Sequence, residues 1–136
     1  MQMMQNTDLN VLLVDDDSFT REFVTSLLRD IGICTVTTAV DGKQGMDAFD
    51  RARAKPNLVL CDIRMPSANG FQLMEELAHR SYTGGVILIS GEEGLMLYSA
   101  ARMAQMHQLN FLGALPKPVT GAALTHALTG FSSTLQ

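Results

Sequence analysis

A chain of 136 residues, 46% hydrophobic and 18% charged, is long enough for one domain with one sizeable core and too apolar to be disordered. A net charge of -4 excludes a surface dominated by lysine and arginine, so no direct contact with nucleic acid is expected. Two cysteines are too few for a disulfide framework. No basic-then-apolar leader opens the chain and no apolar run nears ~18 residues, so a cytoplasmic protein with no membrane contact is expected.

After a disordered lead over 1–8, the apolar run Asn10–Val14 predicts a first strand. Asp15, Asp16 and Asp17 follow it, and Asp17 is the expected N-cap of a helix. Phe19, Phe23, Val24, Leu27, Leu28 and Ile31 stripe that helix on one apolar face. Ile33–Ala39 predicts a second strand, with Cys34 inside it. Asp41 to Gln44 reads as a capping box that opens a second helix with Met46 and Phe49 inward. Asn57–Cys61 predicts a third strand, ending at Asp62. Phe71, Met74, Leu77 and Ala78 stripe a third helix. Val86–Ile89 predicts a fourth strand, ending at Ser90, and residues Glu92 to His107 a fourth helix. Phe111–Leu115 predicts a fifth strand, followed by Lys117 and Pro118. Leu124, Ala127, Leu128 and Phe131 recur at helical spacing in a fifth helix, and 132–136 form a tail or the start of a linker. Cys34 and Cys61 both read as buried small hydrophobes, and His79, His107 and His126 as solitary surface residues.

Strands that alternate with helices need crossover connections. The expected fold is therefore an α/β three-layer sandwich over residues 9–131, with a (βα)5 pattern and a parallel sheet covered on both faces. Five units fit the flavodoxin-like strand order 2-1-3-4-5.

In such a sheet, function gathers beyond the carboxyl ends of the strands, where the strand order reverses. Asp15 and Asp16 at the first strand should therefore meet Asp62 at the third. Crowded carboxylates either take up a proton or bind a cation. A hard divalent ion suits oxygen ligands, and Mg²⁺ (or Mn²⁺) is expected where phosphate is also present. Lys117 and Ser90 bring a cation and a hydroxyl to the same rim. A carboxylate nucleophile, a metal, a lysine and a hydroxyl together suit phosphoryl transfer, which needs positioning and charge neutralisation above all.

The stretches V-L-L-V-D-D-D, L-V-L-C-D-I-R-M-P-S-A-N-G, V-I-L-I-S-G and L-P-K-P, in that order and at the ends of those strands, resemble the receiver domain of two-component response regulators. The resemblance implies that Asp62 accepts a phosphoryl group from a sensor histidine kinase or a phosphotransfer protein. It implies that Asp15, Asp16, Asp62 and the backbone carbonyl of Arg64 hold the metal, and that Ser90 and Lys117 bind the phosphoryl oxygens. It further implies a cis Lys117–Pro118 bond, Pro66 and Gly70 in the turn after the acceptor strand, and Arg64 and Glu92 as side chains that tune the lifetime of the phosphorylated state. The output would be read from the face of the fourth helix, fifth strand and fifth helix, by an output domain or in a homodimer. Residues 94–136 contain no Asp or Glu, and the fourth helix is unusually apolar, both of which fit a partner surface there.

Two features depart from the family pattern. Ala114 stands where many receivers carry an aromatic residue, three positions before the lysine. The 27 positions from Ser90 to Lys117 also exceed the usual spacing, so an extended fourth helix or following loop is expected. The run Gln108 to Gly113 is similar to receivers found before EAL-type cyclic di-GMP phosphodiesterase domains. The alternative functions are a receiver-like interaction module that works without phosphorylation and, more remotely, a haloacid-dehalogenase-like phosphatase with Asp15 as nucleophile. The phosphatase would need an acidic metal ligand after the lysine, and the chain has none beyond Glu93. Three acids after the first strand also exclude a flavodoxin-type phosphate cradle.

Overall fold

The computed structural model describes residues 8–63, 70–91 and 94–134. The elements run β1 (Asn10–Val14), α1 (Ser18–Asp30), β2 (Thr35–Ala39), α2 (Gly42–Arg51), β3 (Leu58–Asp62), α3 (Gly70–His79), β4 (Gly85–Ser90), α4 (Gly94–Met106), β5 (Asn110–Pro116) and α5 (Gly121–Thr134). The five strands form one parallel sheet of order β2-β1-β3-β4-β5, the flavodoxin-like arrangement that the alternation predicts.

Side chains alternate across a strand, so each buried strand feeds two cores. Leu12, Val14, Val59, Cys61, Val86 and Leu88 pack under α2, α3 and α4. Val11, Leu13, Leu58, Leu60, Ile87 and Ile89 pack under α1 and α5, against Val24, Leu28, Leu124 and Leu128. Each fully buried aliphatic side chain contributes roughly 1.5–3 kcal/mol relative to exposure. Met46 and Phe49 face inward from α2 as their spacing predicts.

Local chemistry sets the helix starts. The Asp17 carboxylate accepts from the Thr20 N–H at 3.0 Å and from its hydroxyl at 2.6 Å, which caps α1. Asp41 accepts from the Gln44 N–H at 2.8 Å, and the Gln44 side chain reaches back to the Val40 N–H at 3.3 Å.

Four expectations need correction. The second strand begins at Thr35, not Ile33, because Gly32 takes a left-handed φ of 96° and the Ile33 N–H closes α1 by donating to Leu28 O. Cys34 is consequently exposed and outside the sheet, while Cys61 is buried as expected. β2 is an edge strand with Thr35, Thr37 and Thr38 exposed, so the sheet is not covered throughout. Finally, Phe19 and Phe23 are not core. At 100° per residue, Phe19 lies about 140° round the helix from Val24, off the face that meets the sheet. Phe19 is 72% exposed, and its ring stacks on Phe23 with centroids 6.0 Å apart.

Candidate phosphoacceptor site

Because β1 and β3 are neighbours in register, with Val14 opposite Cys61, the residues that follow them emerge side by side. Asp15 is fully buried and Asp62 only 3% exposed, while Asp16 faces solvent. One carboxylate oxygen from each of the three lies within 4.8 Å of the others, so the convergence expected of the acids occurs.

Asp15 is held from several sides. Its Oδ1 accepts from the Asp17 N–H at 2.8 Å, its own N–H donates to Ala39 O at 3.1 Å, and Arg21 donates to its carbonyl at 2.8 Å. Its Oδ2 is buried and, among the described residues, accepts no hydrogen bond. Burial, then the neighbouring charges of Asp62 and Asp16, push its carboxyl up to about 6, against the opposing pull of the Asp17 N–H and Lys117.

Lys117 enters from the end of β5. Its ammonium donates to Asp62 Oδ2 at 2.8 Å and lies 3.7 Å from Asp15 Oδ2. Burial works against its charge, but the bond to Asp62 and the charges of Asp15 and Asp16 outweigh it and raise its pKa. The backbone N–H of Lys117 donates to Ser90 O at 2.9 Å, which ties β5 to the end of β4. Ser90 is buried at that end, and the Lys117–Pro118 peptide is cis. Arg64, Pro66 and Glu92 lie outside the described residues.

Three carboxylates face one ammonium here. Among the described residues the cluster therefore carries an excess of negative charge, with a buried carboxylate oxygen that lacks a donor. The donor set is all hard oxygen, which fits Mg²⁺ or Mn²⁺ and not a soft metal.

Sequence reasoning missed two features of this rim. Arg21 braces the Asp15 carbonyl, a contact that only the turn of α1 reveals. Phe19 and Phe23, expected above on the apolar face of α1, instead line a cavity of about 280 Å³ with Thr20, Lys117, Pro118 and Val119, beside the acidic cluster. The 3.6-residue phase of α1, measured from Val24 and Leu28, was the available signal.

A family model described as the response regulator receiver domain matches residues 11–129. Over 123 residues the chain is 29% identical to protein-glutamate methylesterase/protein-glutamine glutaminase 2 of Koribacter versatilis, which covers 90% of this chain and 32% of that protein. It is 26% identical over 129 residues to the cyclic di-GMP phosphodiesterase RocR of Pseudomonas aeruginosa, covering 95% of this chain and 33% of that protein. The chain thus spans about a third of the length of these two relatives. Its fold superposes on a response regulator receiver domain protein from Clostridium thermocellum with a TM-score of 0.78 at 24% identity, over 93% of this chain and 96% of that one.

Proposed function

The chain belongs to the response regulator receiver domain family, and from that premise we propose that it is a signalling switch whose phosphoacceptor is Asp62. A carboxylate oxygen of Asp62 attacks the phosphorus of a phosphohistidine on a sensor histidine kinase or a phosphotransfer protein. The P–O bond forms as the P–N bond breaks, and the electron pair stays on the imidazole nitrogen, which takes up a proton. Lys117 follows the transferred oxygens, and Ser90 supplies a hydroxyl to them. Asp15, Asp16, Asp62 and the Arg64 carbonyl would hold Mg²⁺ or Mn²⁺, which when bound neutralises charge on the carboxylates and the phosphoryl group. Return to the resting state is hydrolysis: water adds to phosphorus and the Asp62 carboxylate leaves. Arg64 and Glu92 would tune that step by admitting or blocking water.

The observation that carries this reading is the 2.8 Å bond from Lys117 to the buried Asp62 within a three-carboxylate cluster. An acceptor this deep is reached only from the rim, so a donor protein must dock there. The stacked Phe19 and Phe23 offer it an apolar foothold beside Lys117. For output, exposed Tyr98 and Met106 on α4 and the edge strand β5 support a partner face, to an output domain or a second copy. The similarity to RocR keeps the phosphodiesterase-associated subgroup as the proposed context.

A second reading, an interaction module that works without phosphorylation, is favoured by Ala114. Its side chain packs among the α2–α4 core residues and offers no ring to swing. The test is Mg²⁺ with beryllofluoride or acetyl phosphate. A spectral change or phosphorylation in the wild type that is lost in Asp62→Asn supports the switch, and no response in either supports the module. Steady release of phosphate from many esters, dependent on Asp15, would support the phosphatase instead.

A further inference from the structure

In a parallel pair, residues in register turn to the same core. The strands β4 and β5 obey this at both ends: Val86 and Phe111 face the α2–α4 core, and Ile89 and Leu115 face the α1–α5 core. The counts between those ends disagree. Val86 to Ile89 is three steps, whereas Phe111 to Leu115 is four. Unless the surplus residue is absorbed, one end of β5 must turn its side chains to the wrong face.

It is absorbed at Gly113. The register jumps there, with Ile87 paired to Gly113 and Leu112 left over. Gly113 has a φ of 135°, a conformation open in practice to glycine alone. No described residue lies within 4 Å of where its Cβ would stand, so the requirement is conformational and not one of space. Beyond the bulge, Ser90 pairs with Pro116, and Lys117 reaches both Ser90 O and Asp62.

We propose that Gly113 is a positioning residue for the phosphoacceptor site: its bulge takes up one surplus residue of β5 so that Lys117 arrives in register with Asp62. The role of Lys117 rests on the switch reading; the register does not. A slip of one residue moves the chain by ~3.3 Å, more than the 2.8 Å contact tolerates. It follows that removing Gly113 does less harm than replacing it. Deletion leaves Leu112 opposite Ile87 and turns every other β5 side chain to its present core. Gly113→Val keeps the surplus residue and forbids the bulge.

The experiment compares wild type, Gly113→Val and the Gly113 deletion by two readouts. Interstrand NMR contacts between Ser90 and Lys117 report the register, and Mg²⁺-dependent beryllofluoride affinity reports the placed lysine. Gly113→Val is expected to lose the contacts and about tenfold or more in affinity, the scale of a lost charged hydrogen bond. The deletion is expected to keep the contacts and stay within roughly threefold of wild type. In a Lys117→Ala background, Gly113→Val should lower affinity no further, the mark of two residues that act through one contact. Gly113→Ala replaces Gly113→Val if the latter does not fold. A deletion that loses the Ser90–Lys117 contacts, or a substitution that keeps them, overturns the proposal. A wild type blind to beryllofluoride counts against the switch reading alone, since the NMR comparison still decides the register.

Discussion

The Lys117 ammonium stands 3.7 Å from Asp15 Oδ2, too far to hydrogen-bond it, while it meets Asp62 Oδ2 at 2.8 Å. One cation is thus engaged by the proposed acceptor, and among the described residues the Oδ2 of the most buried acid, Asp15, accepts no hydrogen bond. This asymmetry is the physical basis of the metal expected here, and it has a cost in metal-free protein.

That cost depends on pH. The folded-state carboxyl of Asp15 titrates at about 6, above its ordinary value of 3.8. A raised carboxyl holds its proton better in the folded state, so its stabilising contribution is complete below pH ~4 and is lost as pH rises through about 6. In chelator, Asp15→Asn should therefore be more stable than wild type at neutral pH by about 2–3 kcal/mol, and the gap should close towards pH 4. Urea denaturation of both proteins from pH 4 to 8 measures it. A gap that does not change with pH would show that Asp15 is not the source.

Lys117→Ala separates phosphoryl recognition from metal binding. Mg²⁺ affinity should be kept or increased, because a competing cation is removed. Beryllofluoride affinity should fall by ~10-fold to 100-fold, the range of a charge-assisted hydrogen bond. Fluorescence or calorimetric titration of each ligand decides. Equal loss of both would place the lysine in the metal site instead.

Phe19→Ala and Phe23→Ser should leave phosphorylation by acetyl phosphate unchanged and slow transfer from a phosphorylated donor protein. Because Phe19 is 72% exposed, Phe19→Ala should change folding stability little, within ~0.5 kcal/mol, while the more covered Phe23 should cost more. Rates measured with both donors provide the comparison. Equal slowing with the small donor would mean that the rings shape the site itself and not the docking surface.

Gly45→Val should destabilise the fold by ~1–3 kcal/mol through overpacking. A Cβ at Gly45 would stand 2.9 Å from Val14 Cγ2, and Val14 immediately precedes Asp15. Thermal denaturation reads the stability, and Mg²⁺ titration reads whether pushing on the end of β1 disturbs the cluster. An unchanged melting temperature would show that α2 yields.

Pattern alone carried the architecture. The alternation of short apolar runs with helical stripes, the acids at the ends of the first and third runs and the lysine after the fifth are local features, and a parallel sheet of this order can bring such ends together in only one place. Chain order could not say which groups would share a hydrogen bond. Asp15, Asp16 and Asp17 look alike in a row, yet one is buried, one faces solvent and one caps α1, because each points differently as the strand gives way to the helix. Phe19 and Phe23 looked like core because a stripe shows periodicity but not how wide a face the sheet will cover. The surplus residue in β5 could not be read from the chain, since nothing in the sequence says where β5 will slip against β4. Only the pairing of β5 with β4, where both faces of a buried strand must match two cores at once, shows a surplus residue absorbed at Gly113.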